Sequence, residues 1–466
     1  MAPHKSRITM RLPVLPTLWA FCLAALTTNP SAGQTPPATD ARIYDIAAAP
    51  SSARLESDIR TLANFGTRHT LSDTTSTTRG IGAARRWIKA EFETISEACG
   101  GCLEVVYQRS LVPGGESGRI PTDTWVVNVL AIQRGSEHPN RYVIMSGDID
   151  SRVSSSNNFE DDSPGANDNA SGMAGTIEAA RVLSAYSFPN TVVYAGLSGE
   201  EQGLFGGQHM ASVAVEEGWQ IIGVLNNDMI GNIEGVDGVI DNRTFRIFSE
   251  PTPVTESEQA RNSRRFYGGE VDGVSRQIAR YVERMTRTYM PEMNPMMIYR
   301  LDRFGRGGHH RPFNDKGFAG VRIMEAHENY NRQHQDIRTE NGIAYGDVIE
   351  GVNFEYAAKL TGVNAIALAG LAWAPPAPTG LRIGGAVQPS TTLAWEAPAD
   401  ATVAGYAVYW RDTTAPQWQN RRFVSGVNEY TLEGIVIDNF LFGVASVSTD
   451  GNESEVVFPG GLIRRR

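Results

Sequence analysis

Short apolar runs alternate with stretches of helical periodicity from about residue 40 to residue 373. This alternation constrains the fold more than any other feature, because a chain that alternates strand and helix buries its strands in a mainly parallel sheet covered by helices. We therefore predict an α/β fold with a mixed, mainly parallel sheet sandwiched by helices. The predicted strands are residues 124–132, 141–146, 191–197, 220–226 and 320–324, and the predicted helices are residues 81–95, 171–186, 206–217, 274–289 and 347–371.

The pattern changes after residue 373. Residues 374–378 read Ala-Pro-Pro-Ala-Pro, and consecutive prolines favour a stiff, extended linker. Residues 379–460 alternate in short strands and turns, and they resemble a fibronectin type III domain in Leu-Ala-Trp at 393–395 and Gly-Tyr-Ala-Val-Tyr at 405–409. The resemblance implies a small all-β sandwich with the tryptophan and tyrosines in its core.

The N-terminus has the features of a secretory signal peptide. Basic residues come first, an apolar run spans residues 15–26, and small residues follow at 31–33. We predict cleavage near residue 33 and export to the periplasm or the extracellular space. A retained anchor is the alternative, but the apolar run is shorter than the roughly 20 residues that a membrane-spanning helix needs.

Net charge and cysteine content indicate which macromolecular partners and which cellular compartment to expect. The formal net charge is −10, and an acidic surface repels phosphate backbones, so no nucleic-acid partner is expected. Cys99 and Cys102 form a Cys-Gly-Gly-Cys segment, which predicts a local disulfide in an exported protein. A thioredoxin-like redox pair is the alternative.

Acidic residues follow several predicted strands, where loops leave the carboxyl edge of a parallel sheet. They are Asp148 and Asp150 after strand 141–146, Glu200 and Glu201 after strand 191–197, and Asp228 after strand 220–226. Adjacent carboxylates allow one to bind a metal ion while its neighbour moves a proton. Residues 163–172 read Ser-Pro-Gly-Ala-Asn-Asp-Asn-Ala-Ser-Gly, and these small residues allow a tight loop that presents Asp168. Taken alone, each motif is equally consistent with a solvated turn or a helix cap.

Together with Asn-Asp-Met-Ile-Gly at 227–231 and Gln-His-Gln-Asp at 333–336, these motifs resemble the co-catalytic zinc exopeptidases, typified by secreted bacterial leucyl aminopeptidases and by glutamate carboxypeptidase. The resemblance covers most of residues 120–370. It implies a metallopeptidase catalytic domain at 40–373, peptide substrates and two zinc ions per chain.

The resemblance also implies a role for each matching residue. Glu200 is the general base that takes a proton from the attacking water, and Asp150 is a carboxylate that orients the first metal ligand. A cis peptide bond is implied between Asp168 and Asn169. The implied metal ligands are Asp148, Asp168, Glu201, Asp228 and His334, with Asp168 bridging the two ions.

Two positions depart from the family pattern. The family has histidine at position 148, where this chain has aspartate; a carboxylate still binds zinc, but it also suits harder ions such as Mn²⁺ or Mg²⁺. A one-metal site made by Asp168, Glu201 and His334 is the alternative. The family commonly has Asp-His at positions 309–310, so His310 matches and His309 departs.

Substrate recognition is assigned to His310, Arg306 and Glu325. Arg306 suits a substrate carboxylate and Glu325 suits a substrate ammonium. The leading hypothesis is an aminopeptidase, and a carboxypeptidase or dipeptidase is its near alternative. Two further readings are a glutaminyl cyclase, which resembles this fold and uses one zinc ion, and a binding protein that has lost catalysis.

Overall fold

The structure, a computed structural model, describes residues 35–267 and 272–463. The predicted signal peptide at residues 1–33 lies outside the described residues.

A large mixed sheet forms the centre of the first part of the chain. Its strands are β1 (Glu104–Val112), β2 (Thr124–Gln133), β3 (His138–Asp148), β4 (Asn190–Leu197), β5 (Gln220–Asn227), β6 (Thr244–Ser249), β7 (Asn294–Ile298) and β8 (Gly320–Glu325). The order across the sheet is β1-β2-β4-β3-β5-β8-β6-β7. Strands β4, β3, β5 and β8 are parallel neighbours, whereas β1, β2 and β6 introduce antiparallel pairs. The predicted mixed, mainly parallel sheet is confirmed.

Helices cover both faces of this sheet, as predicted. They are α1 (Arg42–Ala48), α2 (Ser52–Ala63), α3 (Gly80–Ala98), α4 (Gly172–Leu183), α5 (Glu200–Gly203), α6 (Phe205–Glu216), α7 (Glu258–Tyr267), α8 (Val274–Tyr289), α9 (His310–Asp315) and α10 (Phe354–Trp373). Apolar residues of α3, α4, α8 and α10 share one core with the sheet, and apolar residues of α6 and α9 form a second core with it.

Helix α10 is buried along nearly its whole length. Its many alanines and glycines allow neighbouring elements to approach closely. At Gly370 an added Cβ would lie 2.5 Å from the Tyr281 hydroxyl oxygen. The small residues therefore allow this helix to pack closely against its neighbours.

The central strands are apolar on both sides, as expected for strands covered on both faces. Val192 on β4, Ile144 on β3 and Val224 on β5 are fully buried. Because these parallel strands end at one edge, the loops that follow them meet there. Asp148 is the last residue of β3, and Asp228 directly follows β5.

The chain after α10 folds as β-strands. A hairpin of β9 (Arg338–Glu340) and β10 (Ile343–Tyr345) precedes α10, and the later strands are β11 (Thr379–Gly384), β12 (Thr391–Glu396), β13 (Val403–Asp412), β14 (Asn420–Val424), β15 (Glu429–Leu432), β16 (Phe440–Ser448) and β17 (Gly461–Leu462). They form two sheets, of order β15-β12-β11-β17 and β14-β13-β16. Trp395 and Tyr406 are buried and pack edge to face, with ring centroids 5.0 Å apart. The two tightly packed sheets agree with the predicted sandwich, while its fibronectin type III identity stays a prediction.

Buried ion pairs connect these strands to the helices of the first part of the chain. The Asp272 carboxylate lies 2.7 Å from Arg280 on α8 and 2.6 Å from Arg411 on β13. Arg284 on α8 lies 3.4 Å from Glu453, which also accepts a hydrogen bond from Tyr409. Such contacts hold the β-strands of the C-terminal part against α8.

Three local features can be compared with the sequence predictions: the disulfide, the start of the last helix and the absence of a membrane-spanning helix in the described ranges. Cys99 and Cys102 form the predicted disulfide. The predicted helix at 347–371 begins later, at Phe354, because Asn353 caps it by accepting a hydrogen bond from the Tyr356 N–H. Within the described ranges, no helix combines the length and apolar character needed to cross a membrane.

Candidate active site

Three predicted metal ligands come together at the edge where the strands end. The His334 Nε2 atom lies 2.8 Å from Asp168 Oδ2 and 2.8 Å from Glu201 Oε1. Within residues 35–267 and 272–463, these residues form the one group of three or more acidic, histidine or cysteine side chains whose ligand atoms all lie within 4.8 Å of one another. Two carboxylates and one imidazole are a ligand set that suits zinc.

Each member of this group comes from a different loop. Asp168 lies in the turn at Ala166–Ser171, which precedes α4 and contains the expected cis peptide bond between Asp168 and Asn169. Glu201 lies in the short helix α5 after β4, and His334 lies in the loop between β8 and β9. The parallel sheet brings these distant segments to one edge.

Burial and the neighbouring charges act in opposite directions on the pKa values of this group. Burial alone would lower the pKa of His334, but Glu201 and Asp168 raise this pKa to about 9. Burial opposes ionisation of Asp168, yet His334 holds the pKa of Asp168 below its usual value. With its proton, His334 offsets one of the two carboxylate charges, and a zinc ion would replace that proton on the imidazole.

Arg152 contacts two of the three residues in this group. Its Nε donates a hydrogen bond to Glu201 Oε2 over 2.8 Å, and its Nη2 lies 2.6 Å from His334 Nδ1. The contact holds one oxygen of Glu201 and leaves the other directed at His334. Sequence analysis missed Arg152 because it considered only the acidic residues in the loop after β3; the signal was a basic residue two positions after Asp150.

A second supporting carboxylate holds the loop that carries Asp168. Asp347 accepts hydrogen bonds from the backbone N–H groups of Asn167, over 2.8 Å, and Asp168, over 2.7 Å. Burial raises the pKa of Asp347 to about 7. Sequence analysis also missed this residue, since it is separated from Asp168 by most of the domain.

The predicted base, Glu200, lies beside Glu201 at the start of α5. Burial raises its pKa well above the usual value, and the nearby charges of Glu201 and Asp228 act in the same direction. Asp150 accepts hydrogen bonds from the backbone N–H groups of both glutamates, over 3.2 and 3.1 Å. Asp150 thus positions the base and one metal ligand; the resemblance implied a carboxylate that orients the first metal ligand.

The two remaining predicted ligands have other partners. Asp148 Oδ1 lies 2.5 Å from His309 Nδ1, and Asp148 Oδ2 accepts a hydrogen bond from Asn169 Nδ2 over 2.7 Å. Asp228 Oδ2 forms an ion pair with Arg322 Nη2 at 2.8 Å. The structure does not bring Asp148 or Asp228 into the group of Asp168, Glu201 and His334.

The three predicted substrate residues differ in their exposure to solvent. Arg306 is exposed, with Nη2 3.3 Å from His334 Nδ1, so it borders the metal-binding group. His310 is fully buried and bonds the Leu301 carbonyl. Glu325 is 1% exposed and accepts hydrogen bonds from Asn167 Nδ2 and the backbone of residue 232. The geometry therefore gives His310 and Glu325 supporting contacts inside the protein, since neither side chain reaches solvent.

Comparisons with known proteins identify the family of the chain. The model of a family described as Peptidase family M28 matches residues 128–348. A probable zinc metalloprotease of Pyrenophora tritici-repentis is 37% identical over 423 residues, covering 90% of this chain and 98% of the relative. A probable zinc metalloprotease of Leptosphaeria maculans is 40% identical over 424 residues, covering 91% and 98%. The LapA aminopeptidase of Legionella pneumophila aligns with a TM-score of 0.51 and 16% identity over 73% of this chain and 77% of that chain, which shows a shared fold.

Proposed function

Because this chain belongs to peptidase family M28 and is a zinc metallopeptidase, we propose that it is an exported aminopeptidase that removes residues from the N-terminus of peptides. The observation that carries the proposal is the convergence of Asp168, Glu201 and His334 next to Glu200. Asp168, Glu201 and His334 would hold a zinc ion, which would supply Lewis-acid chemistry for the scissile carbonyl and for the attacking water.

Glu200 performs the proton transfers in this proposal. It accepts a proton from the attacking water and then donates it to the leaving amine. Burial, reinforced by Glu201 and Asp228, raises the pKa of Glu200, and a general base works best when its pKa lies near the working pH. Asp150 keeps Glu200 in place through the backbone N–H, so the base stays fixed beside the ligands.

Two of the arginines near the metal-binding group are paired with carboxylates of the protein. Arg152 is paired with Glu201 over 2.8 Å, and Arg303 is paired with Glu328 over 2.7 Å. These guanidinium groups are already neutralised by the protein, so they are poor anchors for a peptide C-terminus. Arg306, which is exposed and lies 3.3 Å from His334 Nδ1, stays the candidate for a substrate carboxylate, and the blocked peptides described below distinguish the two modes of recognition.

Export and the role of the C-terminal strands belong to the same proposal. The basic, apolar and small-residue order of residues 1–33 supports a cleaved signal peptide. The two sheets after residue 378 support a fibronectin type III-like sandwich at 379–460. The ion pairs of Asp272 indicate that this sandwich braces the catalytic region.

Blocked peptides test the proposed activity. The purified protein is assayed with a dipeptide and a tetrapeptide that carry a free N-terminus, with their N-acetyl forms, and with their C-terminal amides. We expect acetylation to abolish hydrolysis and amidation to leave it intact. Loss of hydrolysis on amidation would instead establish a carboxypeptidase.

A glutaminyl cyclase is the second candidate, because those enzymes resemble this fold and use one zinc ion. The single group of three ligands fits one ion. A peptide with an N-terminal glutamine separates the two activities. Release of ammonia with the peptide bond intact identifies a cyclase, whereas release of free glutamine identifies an aminopeptidase.

A further inference from the structure

We propose that a cavity beside the candidate active site binds acidic side chains of peptides, and that Arg85 is the residue that holds their carboxylate. The proposal deepens the function proposed above, on which it rests for the choice of a peptide as the ligand. The cavity lies between α3 and the strand pair β1–β2, and its volume is about 1140 Å³.

One face of the strand pair β1–β2 forms the floor of the cavity. Arg109 of β1 lies directly opposite Val127 of β2. Tyr107 and Trp125, each two positions away along its strand, share that face because successive side chains of a strand point to opposite faces. All four residues line the cavity, and helix α3 and residues 70–74 line it as well.

Arg85 on α3 is a buried cation whose donors the protein leaves unused. The residue is 6% exposed, and within the described part of the chain its Nε and Nη2 atoms are buried without a hydrogen-bond partner. Burial lowers the pKa of Arg85 to about 10, while Asp150 acts in the opposite direction, so the guanidinium stays charged at neutral pH. A buried donor without an acceptor is costly, and a carboxylate that enters the cavity would accept hydrogen bonds from it.

The other charged groups of the lining also favour an acidic ligand. Three arginines and two aspartates line the cavity. Asp73 accepts hydrogen bonds from the backbone N–H and the hydroxyl of Thr75, over 2.6 and 2.8 Å. Asp123 accepts a hydrogen bond from the Gly114 N–H over 2.9 Å. Both carboxylates therefore have partners in nearby turns, and the excess of positive charge attracts an anion.

The cavity lies at the same edge of the sheet as the metal-binding group. Strand β2 runs antiparallel to β4, so the start of β2 lies where β4 ends, and the Ser198 hydroxyl donates to the Val127 carbonyl over 2.8 Å. Thr70, which lines the cavity, donates its hydroxyl to Asp150 over 3.0 Å. Asp150 in turn accepts the backbone N–H of Glu200. A single residue thus joins the cavity lining to the carboxylate that positions the base.

The size and the aromatic lining of the cavity fit a peptide segment better than a small anion. Pockets for small ligands have volumes of roughly 300–1,000 Å³, and this cavity is larger. Trp125 is 57% exposed and Phe159 is 39% exposed, and both line it. Such rings offer contact area to an apolar side chain that neighbours an acidic one. The ligand class is therefore a peptide with glutamate or aspartate next to an aromatic or apolar residue.

Binding of blocked peptides tests the proposal. The peptides acetyl-Leu-Glu-Phe-Glu-Leu-amide and acetyl-Leu-Gln-Phe-Gln-Leu-amide differ only in charge, and neither offers a free terminus to an exopeptidase. Isothermal titration calorimetry with the full chain measures both dissociation constants. We expect the glutamate peptide to bind about tenfold more tightly, because hydrogen bonds to a charged acceptor are stronger than those to a neutral one. Equal affinities overturn the proposal.

Arg85→Met assigns the charge selectivity to one residue. We expect this variant to bind both peptides equally, with an unchanged or higher Tm, because it removes a buried charge that has unused donors. Arg60→Met is the matched control, since Arg60 lies on α2 in an exposed ion pair with Glu56, and it should keep the full difference. An Arg85→Met protein that keeps the difference, or that loses several degrees in Tm, contradicts the role of Arg85 as a ligand-binding cation.

Trp125→Ala tests the cavity without altering a buried charge. The position is exposed, so folding should be unaffected, and we expect the glutamate peptide to bind about threefold more weakly. Unchanged binding overturns the proposal.

Glutarate is the probe for a small anion. We expect it to compete with the glutamate peptide only at much higher concentration, and competition at equal concentration would overturn the assignment of a peptide. These measurements need no turnover. Charge-selective binding in a chain that hydrolyses no free-amine peptide would therefore end the aminopeptidase proposal and leave this one in place.

Discussion

Replacing Glu200 by glutamine isolates the proton-transfer step from zinc binding. The amide has nearly the same size as the carboxylate but does not accept a proton from water. The backbone N–H of residue 200 keeps its hydrogen bond to Asp150, so the turn at the start of α5 should remain in place. Glu200 is not one of the three residues whose ligand atoms converge, and zinc should stay bound.

The expected magnitude follows from the role of the base. General acid–base catalysis contributes about 10²–10⁴-fold in rate, which corresponds to roughly 3–5 kcal/mol of the activation barrier. We therefore expect Glu200→Gln to lower kcat/KM by about 10²–10⁴-fold with the zinc content unchanged. Since burial and neighbouring acids raise the pKa of Glu200, removing this charge should leave thermal stability equal or higher at neutral pH.

Glu201→Gln is the matched control, because it makes the same chemical change one residue later. Glu201 bonds both His334 Nε2 and Arg152 Nε at 2.8 Å. We expect this variant to lose zinc as well as activity. Steady-state hydrolysis of an aminoacyl p-nitroanilide and zinc content by mass spectrometry are measured for both variants. A Glu200→Gln protein that retains zinc and works within tenfold of the wild-type rate refutes the assignment of the base.

Arg152→Met should weaken zinc affinity about 10–100-fold, measured by competition with a chromogenic chelator, because the variant loses the hydrogen bond that holds Glu201; unchanged affinity contradicts the supporting role. Burial raises the pKa of Asp58 to about 7, so the folded protein holds this proton more tightly than the unfolded chain. The free energy of unfolding should thus fall by up to about 4 kcal/mol as the pH rises from about 4 to about 7. Asp58→Asn should flatten this part of the profile of unfolding free energy against pH, measured by urea titration. A variant profile identical to that of the wild type would contradict the role of Asp58. Asp272→Ala should destabilise the protein by about 3 kcal/mol in the same titration, because the buried Arg280 and Arg411 lose their shared carboxylate; a change below about 1 kcal/mol would show that this contact does not brace the sandwich.

The central part of the fold was predictable because its local patterns agree with its tertiary environment. The run at 191–197 is apolar at nearly every position, and it becomes the buried strand β4 (Asn190–Leu197). Helix 274–289 was predicted with the bounds that the structure has. Strands β1 and β7 were missed, since they lie in the outer part of the sheet, where partial exposure weakens the apolar pattern. Strand β6 was missed although it is mostly buried, since its short run is interrupted by Arg246.

Some residues of the candidate site were likewise predicted from the sequence, and others were missed. Asp168, Glu201 and His334 were found because their motifs combine acidic or imidazole groups with glycine-rich or strand-end positions. Arg152 and Asp347 were missed, since a supporting residue needs only to reach a ligand in space. His309 was set aside as a departure, and its contact with Asp148 became visible only in the folded chain.

The amino-acid sequence by itself determined the layered α/β architecture, the ligand residue types and their place at the strand ends, because periodicity and strand polarity are local properties. The tertiary structure alone decided which charged side chains come into contact. That decision depends on distances between side chains far apart in the chain, such as Asp228 and Arg322. A buried charge is governed by the partner that reaches it, and only the packing of β5 against β8 supplies that partner.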